Sequence, residues 1–477
     1  MALASASSFV ACRPKPAQPP SVVIVSFDTL RADRLNVYGY EGRVVSPFID
    51  ELAADAVLFE NAVSASPWTT PAHLSLMTSL LPLDHGVTTP FFSLVGQLRE
   101  KNLVHSLPDK VVTLAEALGA EGFATAAFTG GLTLDPSIGF AQGFDLYETS
   151  MFKITDPAMA DMLGWIDAQQ DRPFFLFWHT FETHDPYHVT HFLRDVVPEA
   201  TAEEIERLLH RLMEAFSSGQ SFAEERKQLD ALAAAHPAIV EALYDGGVVR
   251  ADRHLRLLAD HLREIRRYDD TLIVLTSDHG EELGERGWKG IFGRHGHNLY
   301  QENVAVPLML KLPGQSRGGT RVSAVARQID IMPTVLDVMG VEVEIPGLQG
   351  SSLRAMWGTG DPGEERLAIS EALAFEEEKK SVRSERWKYI VTIPPEDVAR
   401  HGREYLPEQG YGAELYNMLA DPREKTNLMG SGEAPAEVVG RLDQVLRDYV
   451  ASPHQEPEQG EVSDDTIDRL KALGYVE

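Results

Sequence analysis

Three apolar runs in this chain end in residues able to hold a metal or move a proton. SVVIVSFD ends at Asp28; FFLFWH ends at His179, with His184 close behind in ETHDPY; TLIVLTSDHG carries Asp278 and His279 at its end. A single strand-end aspartate is commonly a turn former or a helix N-cap. Three such ends, two with histidine, point to a metal or catalytic cluster. A further group, GRHGHNLY, sets His295 and His297 two residues apart, among glycines that allow close backbone approach. Such a pair can ligate, exchange protons or simply stand exposed on a loop.

The stretch SPWTTPAHLSLMTSLLP offers a nucleophile. Pro71 suits the first position of a helix, where a missing N–H costs nothing, so Thr70 is expected at the N-cap. Thr69 then falls just outside a helix N-terminus, whose N–H groups and dipole favour an anion. It is either an ordinary loop threonine or a hydroxyl activated by a divalent cation.

The elements that must position these residues alternate in kind. The run 21–28 is continuously apolar and rich in valine and isoleucine, the pattern of a strand buried on both faces. LAADAVLFENAVS and TLAEALGAEGFATAAFTG each read as helix then strand, with Gly122 as a helix stop. FFLFWH, TLIVLT and VPLMLKLPG are further strands. The expected fold class is therefore α/β, a mainly parallel sheet flanked by helices. In such a sheet ligands bind beyond the carboxyl ends of the strands, where Asp28, His179 and Asp278 all fall.

The chain divides into a tail or linker over 1–20, a catalytic domain over 21–346 with a helical insertion at about 190–268, and a C-terminal part over 347–477. SERWKYIVT and AELYNMLADPREKTNL predict a smaller antiparallel subdomain there, and SDDTIDRLKALGYVE a final short helix.

The 477 residues suffice for one large domain with additions or for two domains. Hydrophobic residues make up 43% and charged residues 24%, as in ordinary globular chains. No apolar run approaches the roughly 20 residues of a membrane helix. The net charge of −29 repels nucleic acid, and an anionic substrate needs a local override such as a metal. The single cysteine, Cys12, excludes a disulfide framework and a cysteine metal cluster. It follows Phe9, Val10 and Ala11 in a stretch similar to a truncated lipobox. That reading implies a lipid anchor and a cell-envelope or periplasmic location; a disordered tail and a cytoplasmic location are the alternative.

Four segments together resemble the sulfatase family of the alkaline phosphatase superfamily. VSFDTLRADRLNVYGY is similar to its opening strand and metal-binding turn, and SPWTTPAHLSLMTSLLPLDHGV to its nucleophile segment. TLIVLTSDHGEELGERG is similar to its second metal strand, and ELYNMLADPREKTNL to its C-terminal signature. The resemblance implies Asp28, Asp278 and His279 as metal ligands and Thr69 as nucleophile, its oxygen also facing the metal. It implies that His184 contacts the substrate's anionic group or leaving oxygen, and that His295 stands near a family lysine.

The departures narrow the chemistry. Members with an aldehyde-hydrate nucleophile carry C/S-x-P-x-R, which is converted to formylglycine. Here the segment is TTPAH, so no formylglycine is expected, and His73 replaces the arginine. Thr29 replaces a usual second aspartate, and Thr129, Gly130 and Gly131 lie where a lysine is usual. Threonine at the nucleophile position is similar to the phosphodiesterase, nucleotide pyrophosphatase and phosphoglycerol-transferase branches.

The expectation is a metal-dependent hydrolase of sulfuric or phosphoric esters, acting on an anionic small-molecule, glycan or lipid ester. Thr69 is the nucleophile, His184 or His295 is the catalytic proton donor to the leaving oxygen, and His73 and His297 touch substrate. One divalent cation is expected, zinc or manganese before calcium or magnesium, because the ligands mix carboxylate and imidazole. A second cation held by His184, His295 or His297 with Glu182 is the alternative to a single one. A phosphoglycerol-type transferase and a weakly active binding protein are the competing readings.

Overall fold

The computed structural model describes residues 20–88, 103–169, 172–218, 220–287, 290–291, 295–359, 365–373 and 377–461. The tail with Cys12 and the expected terminal helix lie outside these residues.

Fourteen strands are described. They are β1 (Ser21–Phe27), β2 (Val57–Val63), β3 (Leu103–Ser106), β4 (Ala124–Phe128), β5 (Leu146–Glu148), β6 (Phe174–Thr180) and β7 (Thr271–Thr276), then β8 (Ala305–Lys311), β9 (Thr320–Arg327), β10 (Ala368–Ala372), β11 (Glu378–Arg383), β12 (Trp387–Ile393), β13 (Ala413–Asn417) and β14 (Glu458–Glu461). Eight form one sheet in the order β5-β4-β6-β1-β7-β8-β2-β9. All neighbours in it are parallel except around β8, which runs antiparallel to both β7 and β2. The expected α/β architecture is present.

Both faces of this sheet are covered, which is why β1 has no polar alternation. Val23, Val25 and Phe27 face one core together with the helices Pro47–Asp55, Asp156–Asp167 and Ala238–Glu264. Val22 and Ile24 face the other core, with the helices Thr69–Thr78, Leu114–Ala120 and Ile331–Met339. The 190–268 stretch forms the helices Leu193–Val196, Glu199–Ser217, Ala223–Ala235 and Ala238–Glu264. Among the described residues no helix is long and apolar enough to cross a membrane.

The second sheet is antiparallel, in the order β10-β11-β12-β13, and the helix Ala436–Val450 shares its core through Leu442 and Leu446. It braces the segment leading to Thr69. Ser370 Oγ donates to the Ser64 carbonyl at 2.6 Å, and Ser66 Oγ donates to the Glu371 carbonyl at 2.9 Å. The Leu83 N–H, just beyond the Thr69 helix, donates to Glu371 Oε2 at 3.1 Å.

Candidate active site

Three neighbouring parallel strands, β6, β1 and β7, bring their carboxyl ends to one level. Ser26 pairs with His179 on one side and with Thr276 on the other. Asp28, Asp278 and His279, all beyond strand ends, therefore converge, and all three are fully buried. Their ligand atoms lie within 4.8 Å of one another. Backbone contacts hold the convergence. The Thr29 N–H donates to Asp278 Oδ1 at 3.2 Å, and the Leu30 N–H to Ser277 Oγ at 2.9 Å. The Asp278 carbonyl accepts from Ser64 Oγ and from Gln328 Nε2.

Thr69 opens the helix Thr69–Thr78, and all ten of its residues are buried. Its Oγ1 lies 3.3 Å from Asp28 Oδ2 and 3.3 Å from His279 Nε2. The expected division of labour between the two threonines changes in one respect. Trp68, not Thr70, is the N-cap, and it makes no side-chain cap. Thr70 lies inside the first turn and donates from Oγ1 to the Thr133 carbonyl at 2.7 Å. Pro71 falls third in the helix, still within the turn whose N–H groups have no helical partner, so its missing donor is equally harmless there. The nucleophile candidate itself stands at the helix start, where the first N–H groups have no partner within the helix.

The donor set fits a divalent cation. His279 Nδ1–H donates to the Gly280 carbonyl at 2.8 Å, which leaves Nε2 as a lone pair. That lone pair lies 3.2 Å from Asp278 Oδ2, which has no hydrogen-bond partner; Asp28 Oδ1 has none either. Burial brings the His279 pKa down to about 3 against the pull of Asp278, so the imidazole is neutral near pH 7. Burial and the facing Asp278 push the Asp28 carboxyl well above its usual range. Converging lone pairs in a dry site are mutually repulsive, and a cation among them reverses the sign. Two carboxylates, an imidazole and a hydroxyl are donors suited to zinc or manganese. Thr29 adds no ligand: its Oγ1 turns back to the Asp28 carbonyl at 2.6 Å.

His184 and His295 close the site from above as a group of rings. His295 lies 4.6 Å from His279 and 4.8 Å from His184, centroid to centroid, and is stacked on Trp68 at 5.6 Å. His184 Nδ1 contacts the Asp185 carbonyl and is 2.8 Å from Asp185 Oδ1, so Nδ1 carries the hydrogen and Nε2 is left for substrate. Burial opposes the charged ring, but Asp185 and Asp28 outweigh it and raise the His184 pKa to about 10. His295 Nδ1 is held by Glu281 Oε1 at 3.1 Å.

The two histidines expected at the substrate are placed differently from one another. His73 does not reach for substrate: its Nδ1–H donates to the Thr69 carbonyl at 3.0 Å, and its Nε2 accepts from Ser26 Oγ at 2.9 Å. Both nitrogens are engaged by the chain, so the ring braces Thr69 from below. His297, in contrast to buried His295, is exposed. Three residues without an assigned role join the site. His179 Nδ1 accepts from the Gly130 N–H at 3.2 Å, so its Nε2–H points at Asp28 Oδ2, 3.1 Å away. Its strand-end position was the available signal. Glu281, three residues after Asp278 in the same motif, orients His295. Lys153 donates from Nζ to the carbonyls of Phe181 and His184, and nothing in its sequence surroundings marks it.

The lysine absent around position 130 has a steric explanation. A Cβ on Gly130 would stand 2.3 Å from the Phe181 ring. The aromatic ring occupies that side of the crevice.

Comparison with known proteins agrees with this geometry. The sulfatase family model matches residues 20–341, and that of the N-sulphoglucosamine sulphohydrolase C-terminal region matches residues 284–451. The multifunctional alkaline phosphatase superfamily protein PehA of Trinickia caryophylli is 23% identical, over 91% of this chain and 98% of its own length. The choline-sulfatase of Rhizobium meliloti is 30% identical over 41% of this chain and 34% of its own. Among solved structures, the phosphonate monoester hydrolase of Agrobacterium radiobacter superposes with a TM-score of 0.65 at 20% identity, covering 90% of this chain and 96% of that one. Since the family match spans well over half of the sequence and includes every strand end that carries Asp28, His179, Asp278 and His279, the chain belongs to the sulfatase family of ester hydrolases.

Proposed function

We propose that the protein is a metal-dependent hydrolase of monoanionic sulfuric or phosphoric esters, with Thr69 as nucleophile. The observation that carries this reading is the equal 3.3 Å approach of Thr69 Oγ1 to Asp28 Oδ2 and His279 Nε2 at the start of a helix. A divalent cation held by Asp28, Asp278, His279 and Thr69 Oγ1 would supply Lewis-acid charge that acidifies the hydroxyl and offsets the charge of the ester.

The residues divide the remaining work. Asp28 Oδ2 is within reach of the Thr69 hydroxyl hydrogen. The Thr69 oxygen attacks sulfur or phosphorus, and the bond to the leaving oxygen breaks. Free N–H groups at the helix start favour the equatorial oxygens of the transition state. His184, protonated near pH 7, passes its Nε2 proton to the leaving alkoxide. Water then attacks the threonine ester while His184, now neutral, takes its proton; the bond to Thr69 Oγ1 breaks, and the hydrogen taken up by Asp28 Oδ2 returns to that oxygen. His295, fixed by Glu281, presents its other nitrogen to the same space.

Charge decides among anions. His184 is the cation of the ring group, while His73 stands where the family has an arginine and Thr129, Gly130 and Gly131 lie where it has a lysine. A sulfate monoester, a phosphodiester or a phosphonate monoester carries one negative charge; a phosphate monoester carries close to two. The site favours the former set. The names of similar proteins, a choline-sulfatase and a phosphonate monoester hydrolase, lie within it.

The test is a panel of nitrophenyl sulfate, nitrophenyl phosphate, a bis-nitrophenyl phosphodiester and a nitrophenyl phosphonate with zinc, manganese, calcium and magnesium. A preference for the dianionic phosphate monoester would sink the charge argument. A strict requirement for an alcohol acceptor would turn the hydrolase into a transferase.

A further inference from the structure

The segment just before the helix Asp156–Asp167 runs beside the turn that carries His184, and the contacts between them are unusually polar for a buried junction. The turn is closed by the His184 N–H donating to the Phe181 carbonyl at 3.2 Å. Its far side is tied to the end of β1, where Thr183 Oγ1 donates to the Asp28 carbonyl. Its near side is tied to the 152–154 segment. The Phe181 N–H donates to the Phe152 carbonyl at 3.1 Å, and the Ile154 N–H to Glu182 Oε1 at 2.6 Å. Arg250 secures the same pair, with Nη2 on the Ile154 carbonyl at 2.6 Å and Nε 3.1 Å from Glu182 Oε2. Lys153 bridges the turn itself: its Nζ donates to the carbonyls of Phe181 and His184, the latter at 2.8 Å.

We propose that Lys153 is a positioning residue for the His184 proton donor, its ammonium joining the first and last carbonyls of the Phe181–His184 turn so that the imidazole keeps one direction. The inference rests on the reading of His184 as the acid. Two carbonyls on a buried turn need donors, and an ammonium can serve both while its Nζ lies over the Phe152 ring, 5.4 Å from the centroid. Asp185 fixes the imidazole from the Nδ1 side, and Lys153 fixes the backbone from which the ring projects. Burial brings the Lys153 pKa down to about 8, against the opposing pull of Glu182, Asp185 and Asp28, so the side chain remains an ammonium near pH 7. A group that must deliver a proton at one point in the reaction loses most when its direction is free.

The experiment uses substituted phenyl sulfates and substituted phenyl methylphosphonates, with leaving phenols of graded acidity, on the metal-loaded full-length protein. In Lys153→Met, kcat/KM for the least acidic phenol falls about 100-fold further than for nitrophenol, because only the poor leaving group needs the proton. His184→Asn shows the same steepened dependence, and Lys153→Arg restores the wild-type slope. Lys153→Gln, which keeps an amide donor, gives an intermediate slope and decides the question if the methionine variant does not fold. Equal losses across the series, or a wild-type slope in the glutamine variant, would overturn the role of Lys153. A steep His184→Asn slope beside a flat Lys153→Met slope removes Lys153 alone. A flat His184→Asn slope removes both His184 as acid and Lys153 with it.

Discussion

His279 Nε2 and Asp278 Oδ2 lie 3.2 Å apart with no hydrogen between them, since the ring hydrogen is on Nδ1 and donates to the Gly280 carbonyl. Two lone pairs face each other, and Asp28 Oδ1 stands nearby without a partner. Asp278→Asn is expected to lower divalent-metal affinity by at least on the order of 100-fold. Metal content by inductively coupled plasma analysis checks it, and full retention removes Asp278 from the ligand set.

The same repulsion predicts an inversion of stability. In a chelator, Asp28→Asn removes one of two facing buried carboxyl groups and offers an N–H to the lone pairs, so it melts above the wild type by about 1 kcal/mol. With metal at a hundred times its Kd the wild type gains about 2.7 kcal/mol, and the variant gains little. Thermal melts with and without metal read both. A variant that melts lower in chelator refutes the lone-pair argument.

Thr69→Ala is expected to lower kcat on the order of 10⁴-fold or more, as loss of a nucleophile does. Thr69→Ser keeps the hydroxyl and retains a substantial fraction of the rate. Ester hydrolysis that is unchanged in the alanine variant excludes Thr69 as the nucleophile.

The proposed mechanism requires protonated His184, whose pKa is raised from 6.5 to about 10. Activity therefore persists below the raised value and falls as pH climbs through it. Asp28 is one of the anions that raise it, and a bound cation offsets that charge. The basic limb of kcat/KM in metal-loaded enzyme thus lies between 6.5 and about 10. Asp185→Asn moves this limb to lower pH. The stability linkage has the same sign: the ion pair contributes fully below 6.5 and is lost as pH rises toward 10.

Gly130→Ala is expected to cost ~1–3 kcal/mol, because its Cβ begins 2.3 Å from the Phe181 ring. The loss shrinks in a Phe181→Ala background, and the double-mutant cycle measures that coupling. Gly130→Lys alone does not recreate a cationic crevice wall, since the ring already fills the space. Additive losses in the cycle refute the contact.

Which parts of the site were legible depends on how local their signal is. Asp28, Asp278 and His279 each follow an apolar run, so periodicity and position on the strand point to them. Thr69 was legible beside Pro71, although the helix begins two residues earlier than the proline preference suggests and leaves Thr70 bonded to Thr133. The contacts of His73 were not legible, because its place in the motif says nothing of Ser26, 47 residues away and hydrogen-bonded to it. Lys153 sits in an irregular segment with neither period nor motif, and it matters only because the chain returns 31 residues later with the carbonyl of His184.

By itself the sequence determined the α/β class and the strand ends that carry chemistry, and its resemblance to the sulfatase family implied a threonine in place of a formylglycine precursor and the loss of two cationic positions. These are consequences of apolar pattern, residue type and order along the chain. Tertiary structure alone decided which lone pairs converge, which imidazole nitrogens carry hydrogen, that Phe181 fills the place beside Gly130 and that Lys153 clamps the His184 turn. Such facts depend on distances between segments far apart in the chain, where a few tenths of an ångström separate a ligand from a brace.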